Sequence, residues 1–254
     1  MARCLLADRR CGRLGLPCRS GQCVARRVRR LHERRWRDRL GLFFVEGEDA
    51  VAAATAEPVE LLVAGVDVER CLLAEVSTAA HPPRVVAVYR RADLPAADRR
   101  PATLWLWRVA DPGNVGTLVR TADAFGAAVC LSEGCADPTS PKALRASAGS
   151  VWRVPLAWSG REGDDRAAAS AAAPDASVLT RDRRRVALVA HGGEALDRLD
   201  LRGEVAFLLG AERAGLPDGV PRDAEATIPL AGAESLNVAA AGAIALYEWR
   251  RQNR

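Results

Sequence analysis

The sequence predicts an α/β protein with a large carboxyl-terminal domain built on a mainly parallel sheet and a smaller α/β domain before it. Short β-rich runs alternate with helical segments through residues 101–254, and this alternation is typical of parallel sheets. A charged stretch with a proline at residues 93–100 predicts a linker between the two domains. The chain has 254 residues, of which 49% are hydrophobic, and this is enough to bury a core in each domain.

The amino-terminal region is strongly basic. Residues 1–40 contain 13 arginines and three acidic residues, whereas the formal net charge of the whole chain is +5. Residues 1–25 have no sustained apolar period, so we expect a flexible extension, followed by a basic helix over residues 24–40. Clustered cations indicate contact with phosphate backbones. The chain has a single lysine, Lys142, and a general bias towards arginine explains the residue type but not the clustering.

The elements of the small domain, which we place at residues 26–95, follow from short apolar runs. Strands are predicted over residues 42–45, 59–64 and 85–89, and helices over residues 49–57 and 69–76. In the large domain the predicted strands are 103–109, 127–131, 151–156, 186–190, 205–209 and 227–230. Its predicted helices are 115–125, which Gly126 ends, 142–148 and 236–251. Residues 160–175 are predicted to be either a poorly packed helix or a loop.

Several classes of protein are disfavoured by composition. No apolar run reaches the ~18 residues of a membrane span, and no apolar segment follows the arginine-rich start as in a secretory signal. The seven cysteines are odd in number and lack Cys-x-x-Cys spacing, so we expect reduced thiols in a cytoplasmic protein and no metal. A metal site among the first four cysteines is the less favoured alternative. The glycine fingerprints of dinucleotide-binding and P-loop proteins are absent.

The first segment with candidate functional residues begins at Asn114. It follows a predicted strand and a glycine turn, and its side chain is predicted to cap the helix over residues 115–125. The positive end of that helix faces the carboxyl edge of the sheet, where open α/β proteins bind ligands. Arg120 lies about 9 Å further along the helix axis. It is either a site residue or an ordinary surface cation.

The second segment follows the buried strand that Leu209 ends. Gly210 and Gly215 bracket a loop with one carboxylate, Glu212. Glycine allows the backbone to approach a ligand closely. An ordinary strand-to-loop turn has the same features, so this segment alone leaves both interpretations open.

The third segment leads into the final helix. Ser235 is predicted to be the N-cap of that helix, and Glu234 and Asn237 add two polar groups at the same helix start. Capping requires only one of them. The helix is apolar on almost every side and rich in Ala and Gly, which predicts tight packing against the protein or against another subunit.

Together the three segments resemble the SpoU/TrmH branch of the SPOUT methyltransferases. The family motifs are Asn-x-Gly-x-x-x-Arg-Thr, Gly-Asn-Glu-x-x-Gly-Leu and Ile-Pro-Met…Glu-Ser-Leu-Asn-Val. The matching residues of the first two motifs are Asn114, Gly116, Arg120, Thr121, Gly210, Glu212, Gly215 and Leu216, with Ala211 in place of the usual Asn. In the third motif Leu230 stands in the Met position. The resemblance covers residues 101–251, and residues 40–88 more weakly resemble the ribosomal-protein-like RNA-binding domain of such enzymes.

The resemblance implies transfer of a methyl group from S-adenosylmethionine to a ribose 2′-hydroxyl of RNA. It also implies a knotted α/β fold and a homodimer whose active site draws on both subunits. Ribosomal RNA is favoured over transfer RNA because an RNA-binding domain precedes the catalytic domain and no basic tail follows the last helix. The implied cofactor-binding residues are Leu209, Gly210, Ile228, Leu230, Leu236 and Asn237. The implied catalytic residues are Arg120, Asn114, Glu212, Ser235 and Asn237.

The family role of Arg120 is activation of the 2′-hydroxyl. A guanidinium group has a pKa above ~12 and rarely loses its proton. We therefore expect Arg120 to orient the target phosphate and hydroxyl and to stabilise the emerging alkoxide. The other four catalytic residues would hold the loop and the substrate ribose.

Three other hypotheses fit parts of the sequence. One is an RNA-binding or ribosome-assembly protein of the same fold that has lost catalysis, which retention of the motif residues disfavours. Another is a base-modifying SPOUT enzyme, which the pairing of the Asn…Arg and Glu-Ser-Leu-Asn motifs disfavours. The third is a small-molecule α/β enzyme, with which the basic amino-terminal region fits poorly.

Overall fold

The computed structural model describes residues 21–77, 81–159 and 182–254. The chain divides into two compact units, one ending at Arg90 and the other beginning at Arg91, except that residues 53–55 group with the second. Most of the predicted extension, with Cys4, Cys11 and Cys18, and the predicted segment 160–175 lie outside the described residues.

The first unit is a small antiparallel sheet with helices. Its elements are α1 (Gly21–Leu31), α2 (Arg34–Leu40), β1 (Leu42–Glu46), α3 (Glu48–Ala52), β2 (Glu60–Val63), α4 (Arg70–Val76) and β3 (Val85–Arg90). The strands pair in the order β1-β3-β2. Apolar side chains of α1, α4 and the sheet, among them Val28, Leu73 and Val86, form one core.

The basic helix predicted over residues 24–40 is two helices, α1 and α2. Arg37 is buried, and its Nη1 donates hydrogen bonds to the carbonyl oxygens of Leu31 and His32 at 2.7 and 2.8 Å. These bonds satisfy carbonyl groups where α1 ends, so the chain turns there. Helix α1 also begins before residue 26, the predicted start of the small domain, because Val24 and Ala25 are buried in the same core.

The second unit carries a seven-stranded sheet. Its elements are a 3₁₀ turn (Arg91–Asp93), β4 (Ala102–Leu106), α5 (Pro112–Phe125), β5 (Ala128–Ser132), α6 (Pro141–Ser147), a second 3₁₀ turn (Ser150–Trp152), β6 (Leu156–Ser159), β7 (Arg184–Leu188), β8 (Glu194–Ala195), β9 (Val205–Leu209), β10 (Ala224–Thr227) and α7 (Val238–Gln252). The strand order is β6-β5-β4-β9-β7-β10-β8, and every neighbouring pair is parallel. The predicted fold class, an α/β protein with a parallel sheet in its carboxyl-terminal domain, is confirmed.

Helix α5 lies close to both α6 and α7, and two glycines allow this approach. A Cβ atom on Gly116 would lie 2.2 Å from the carbonyl oxygen of Ala143 in α6. A Cβ atom on Gly242 in α7 would lie 2.5 Å from Cδ2 of Leu118 in α5. Because the three helices pack this closely, the amino termini of α5, α6 and α7 have fixed positions relative to the sheet.

Two strands are displaced from their predicted positions. The 3₁₀ turn after Gly149, whose φ is 81°, takes the first two residues of the predicted strand 151–156, and β6 begins only after Pro155. Strand β10 shares only Thr227 with the predicted strand 227–230, because Pro229 has no N–H group to donate to a ladder. In the part of the chain that the structure covers, no helix is long and apolar enough to cross a membrane.

Candidate active site

Three segments meet beyond the carboxyl ends of neighbouring strands. Strand β4 leads into α5, β9 leads into the turn at residues 210–216, and β10 leads through residues 228–237 into α7. Strand β9 pairs with β4 on one side and with β7 on the other, and β10 pairs with β7. Because the carboxyl ends of parallel strands share one edge, the topology brings together segments that are distant in sequence.

A chain of hydrogen bonds joins one side chain from each segment. Nδ2 of Asn237 donates to Oδ1 of Asn114 at 3.0 Å, and Nδ2 of Asn114 donates to Oε1 of Glu212 at 3.0 Å. Glu212 also accepts the backbone N–H groups of Ala110 and Asp111 at 3.4 and 3.5 Å. We call Asn114, Glu212 and Asn237 the amide–carboxylate cluster. It brings together three of the five side chains that the sequence singled out as catalytic.

The prediction that Asn114 caps α5 is wrong. The N-cap is Asp111, whose Oδ1 accepts the backbone N–H of Asn114 at 3.0 Å, and Pro112 occupies the first helical position. Oδ2 of Asp111 also accepts a hydrogen bond from Nζ of Lys142 at 2.6 Å. Lys142 and the Asn114 N–H lower the pKa of Asp111. The side chain of Asn114 is therefore released from capping and enters the cluster.

The prediction that Ser235 caps the final helix is also wrong. The N-cap is Asn237, whose Oδ1 accepts the backbone N–H groups of Ala239 and Ala240 at 2.9 and 3.4 Å. Asn237 thus uses its oxygen for the helix and its nitrogen for Asn114, so one side chain ties the start of α7 to the cluster. Ser235 and Glu234 are exposed one turn before the helix, and the structure assigns them no hydrogen bond to another described residue.

Glu212 is held as a carboxylate. Partial burial raises the pKa of Glu212, but hydrogen bonds from the Asn114 side chain and from backbone N–H groups, including those of Ala110 and Asp111, outweigh this effect. The net result is a pKa below the usual range for a glutamate. Glu212 is therefore fitted to accept hydrogen bonds at neutral pH rather than to deliver a proton.

Residues 228–236 form an exposed wall beside the cluster. Within the described part of the chain, these residues take part in no backbone–backbone hydrogen bond. Leu230 and Leu236 expose 37% and 36% of their surface, and Ile228 is half-buried. Backbone donors and acceptors beside aliphatic side chains suit a purine nucleoside, whose edge forms hydrogen bonds and whose faces are apolar.

Leu209 and Gly210 lie at the carboxyl end of β9, where the strand leads into the turn at residues 210–216. A Cβ atom on Gly210 would lie 2.3 Å from the carbonyl carbon of Gly215, so only glycine fits where the turn folds back. Ala211 and Gly215 pair across the turn, and Gly215 has a φ of 63°. This turn fixes the position of Glu212.

Arg120 is not joined to the cluster. It is exposed, and it forms no hydrogen bond or ion pair with the residues that the structure covers. It lies six residues after Asn114 in α5, and this spacing places the two residues about 120° apart around the helix axis. Within one chain, Arg120 and the cluster therefore lie on different faces of α5.

Sequence reasoning missed Asp111 and Lys142, which stand directly beside the cluster. The signal for Asp111 was present, because an Asp-Pro pair at a helix start is a preferred combination of N-cap and first helical residue. Nothing in the sequence predicted that Lys142, which lies 31 positions further on, would pair with it. Across the described ranges, no group of His, Cys, Asp or Glu side chains is placed to hold a metal ion.

Comparison with known proteins identifies the family. The model of the SpoU rRNA Methylase family matches residues 101–247, a range that contains the whole cluster. The chain belongs to the SpoU rRNA methylase family. This SpoU-family chain is 30% identical over 243 residues to the 23S rRNA (guanosine(2553)-2′-O)-methyltransferase RlmP of Bacillus subtilis, and the match covers 87% of this chain and 94% of RlmP.

Two further relatives show the range of similarity to the SpoU-family chain. An uncharacterized tRNA/rRNA methyltransferase of Synechocystis is 37% identical over 59% of this chain, and the chain spans only 53% of that relative's length. The crystal structure of the SpoU methyltransferase AviRb of Streptomyces viridochromogenes, in complex with the cofactor AdoMet, aligns with a TM-score of 0.76 and 27% identity. That alignment covers 91% of this chain and 99% of AviRb. The predicted SPOUT-type fold is therefore confirmed.

Proposed function

We propose that the chain transfers a methyl group from S-adenosylmethionine to the 2′-hydroxyl of a ribose in RNA, and that its substrate is ribosomal RNA. The observation that carries the proposal is the amide–carboxylate cluster, which joins three distant motifs at the carboxyl edge of the sheet. The name of RlmP specifies 2′-O methylation of 23S rRNA, and AviRb binds AdoMet, so both relatives support this function.

The wall at residues 228–236 fits S-adenosylmethionine. Ile228, Leu230 and Leu236 offer aliphatic contacts to the adenine, while Leu209, Gly210 and Asn237 border the same edge with backbone groups. If bound there, the cofactor would supply an electrophilic methyl group: the bond between its sulfonium sulfur and the methyl carbon would break as the ribose oxygen bonds to that carbon. The sulfur would keep the electron pair as a neutral thioether, and the hydroxyl proton would leave to water.

The chain's own residues supply orientation and charge. Asn114, Glu212 and Asn237 hold one another through fixed hydrogen bonds, so little reorganisation is needed when substrate arrives. Ser235 is exposed near the start of helix α7, and we expect it to contact the substrate ribose. Arg120 is assigned to orient the target phosphate and stabilise the negative charge that develops on the 2′-oxygen, since a guanidinium group keeps its proton.

In this proposal, Arg120 of one chain reaches the amide–carboxylate cluster of a second chain when two chains form a dimer. Arg120 is exposed on α5, and Ile244 and Tyr247 expose 38% and 55% of their surface on α7, which packs against α5. An exposed apolar face on a helix that packs against the helix carrying an uncommitted arginine favours a second copy of the chain as the partner. Each cluster would then receive Arg120 from the partner chain. We expect Tyr247→Asp to yield a monomer in analytical ultracentrifugation and to lose methyl transfer.

The remaining features of the proposal concern the whole protein. We infer that the small domain, residues 26–95, binds the RNA substrate, because its first two helices are strongly basic. We also infer that the last part of the chain threads through a loop to form the knot of the SPOUT fold. Action on RNA, together with cysteines that need no disulfide, supports a cytoplasmic location.

The test is transfer of a tritiated methyl group from S-adenosylmethionine to purified RNA. Wild-type protein is incubated with deproteinised ribosomal RNA or with transfer RNA, and the digested RNA is analysed for 2′-O-methylnucleosides. We expect label in ribosomal RNA and a strong loss of label with Arg120→Ala and Arg120→Lys. Arg202→Ala, which changes an exposed arginine paired with Asp200, is the matched control. Label on a base, or activity of Arg120→Ala equal to that of wild type, would contradict the proposal.

A further inference from the structure

A tryptophan surrounded by arginines lies on the surface of the first unit. The guanidinium carbons of Arg30, Arg35 and Arg39 lie 4.9, 5.8 and 5.4 Å from the centre of the Trp36 ring. All three arginines are exposed, and the indole is partly exposed. We call these four residues the Trp36 platform.

The platform does not serve the hydrophobic core. The apolar side chains that α1 contributes to the core are Val24, Ala25, Val28 and Leu31, and the described core cluster does not include Trp36. The chain turns after α1 because Arg37 binds the carbonyl groups at its end. This turn places Trp36 of α2 beside Arg30 of α1. A large aromatic side chain held partly in water among cations is typical of binding surfaces.

The charge around the platform is only partly balanced. Residues 21–40 contain eight arginines and two acidic residues. Arg27 and Arg29 pair with Glu60 and Glu75 of the same unit. Arg35 pairs with Glu33, whereas Arg30 and Arg39 form no ion pair with the residues that the structure covers. Two uncommitted cations beside one ring favour an anionic ligand that also offers a flat apolar face.

We propose that Trp36 stacks on an unpaired base of RNA while Arg30 and Arg39 contact the flanking phosphates. The identity of the partner rests on the proposed function. Unpaired nucleotides combine a base face with phosphate groups, and aromatic side chains beside arginines bind them in this way. In a duplex the base faces are stacked on one another, so the indole has no face to cover. An acidic peptide would engage the arginines but would not use the indole.

The first experiment measures binding of the full-length protein to a fluorescein-labelled oligouridylate by fluorescence anisotropy. We expect Trp36→Ala to raise Kd about 10-fold or more, because stacking on an aromatic side chain contributes strongly for each base. Trp36→Phe retains an aromatic face and is expected to restore most of the affinity. It is also expected to abolish the quenching of tryptophan fluorescence that oligouridylate causes in the wild type. Circular dichroism establishes that both variants are folded.

The second experiment leaves Trp36 in place and therefore does not depend on the folding of the Trp36→Ala variant. Arg30→Gln with Arg39→Gln is compared with Arg70→Gln combined with Arg84→Gln, two exposed arginines of the same unit. Both pairs remove two charges. Only the platform pair is expected to reduce the slope of log Kd against log salt by about 1.4, the value for two lost phosphate contacts to a single strand.

Several results would overturn the inference. The first is a Kd for oligouridylate that is the same in Trp36→Ala and in wild type. The second is a Kd for an RNA duplex that rises in Trp36→Ala as much as the Kd for oligouridylate does. The third is a Kd for polyglutamate that rises to the same degree. Failure of the proposed function can be distinguished from failure of the Trp36 platform. Wild-type protein that methylates no RNA but binds oligouridylate through Trp36 refutes the function and supports the platform. Methyl transfer to ribosomal RNA with an unchanged KM in Trp36→Ala refutes the platform and supports the function.

Discussion

The two ends of helix α7 carry the same kind of side chain and use it differently. At the start of the helix, Asn237 binds a second amide, Asn114, which in turn binds the carboxylate of Glu212. At the other end, Gln252 and Asn253 bind mainly backbone groups. Both ends are polar, and both are predicted from sequence as helix termini. Each end also has the other kind of bond, because Asn237 caps the helix and Gln252 donates to the Glu248 carboxylate. The ends differ in whether the amides hold the backbone of the neighbouring loop.

The carboxyl end of α7 is a structural clamp. Gln252 donates to the carbonyl of Leu199 at 3.0 Å and accepts the N–H of Leu201 at 2.8 Å. Asn253 accepts the N–H of Gly203 at 2.8 Å and donates to the carbonyl of Leu201 at 3.0 Å. These bonds hold the loop before β9, since a backbone group without a partner is costly when buried.

The amino end of α7 has the opposite property. The residues before it, 228–236, have no backbone–backbone hydrogen bonds within the described chain, and their side chains are largely exposed. The amides there bind each other and a carboxylate instead of satisfying this backbone. From this difference we infer that amides which satisfy loop backbone stabilise the fold, and we propose that amides which leave nearby backbone available mark a ligand site. Four experiments on three variants test this comparison.

The largest effect is expected for Glu212→Gln. The substituted amide would turn either its own N–H group or a single oxygen towards the donors from Asn114, Ala110 and Asp111, so the cluster would lose its fixed geometry. We expect kcat/KM for methyl transfer to fall about 100-fold or more, the effect of misplacing a preorganised polar group. The measurement is steady-state methyl transfer to ribosomal RNA. Activity within a factor of two of wild type would refute a functional role for this end.

Asn237→Ser separates capping from the cluster. Serine is as good an N-cap as asparagine, but it has no amide nitrogen to reach Asn114. We expect methyl transfer to fall about 10-fold, with the free energy of unfolding changed by less than about 1 kcal/mol. Urea denaturation and the methyl-transfer assay on the same preparation measure both. A large loss of stability without loss of activity would make Asn237 a cap alone.

Asn253→Ala tests the structural end. It removes two hydrogen bonds to the loop at residues 201–203, and we expect the free energy of unfolding to fall by about 1–3 kcal/mol. Methyl transfer per folded molecule should stay at the wild-type level, because this end lies at the opposite edge of the sheet. Urea denaturation monitored by circular dichroism gives the stability. An activity loss comparable to that of Glu212→Gln would erase the difference between the two ends.

The smallest effect concerns pH. The pKa of Glu212 in the folded chain is lower than its unfolded value, so its charged form stabilises the fold. This contribution is fully present above the unfolded pKa of about 4.5 and is lost as the pH falls through the folded pKa. We therefore expect the stability difference between wild type and Glu212→Gln to be constant from about pH 5 to 8 and to shrink at lower pH. A difference that changes between pH 6 and 8 would show a raised pKa instead.

Much of the site could be predicted from sequence, but its hydrogen bonds could not. Asn114, Glu212 and Asn237 were found because they stand in recognisable motifs. Asn114 and Ser235 were assigned as caps because a polar residue before a helix usually is one, yet Asp111 and Asn237 hold those positions. Capping depends on which oxygen reaches the free N–H groups, and spacing in sequence does not determine this.

In the fold, too, features with a local sequence pattern were predicted, whereas features that depend on tertiary contacts were missed. Alternating apolar runs predicted the parallel sheet, because that signal is local and repeated. The turn between α1 and α2 was missed, since it depends on the burial of Arg37, and an arginine in a basic run is normally expected to be exposed. The Trp36 platform was missed for the same reason, because that turn creates it.

The central claim is that the methyl donor binds at the amino end of α7. Hydrogen–deuterium exchange of the full chain, with and without S-adenosylmethionine, tests it directly. We predict slower exchange in residues 228–237 and 210–216 when the cofactor is present, and unchanged exchange in residues 199–203 at the other end of the helix. Binding of S-adenosylmethionine that leaves residues 228–237 unprotected and protects a different region would contradict the account.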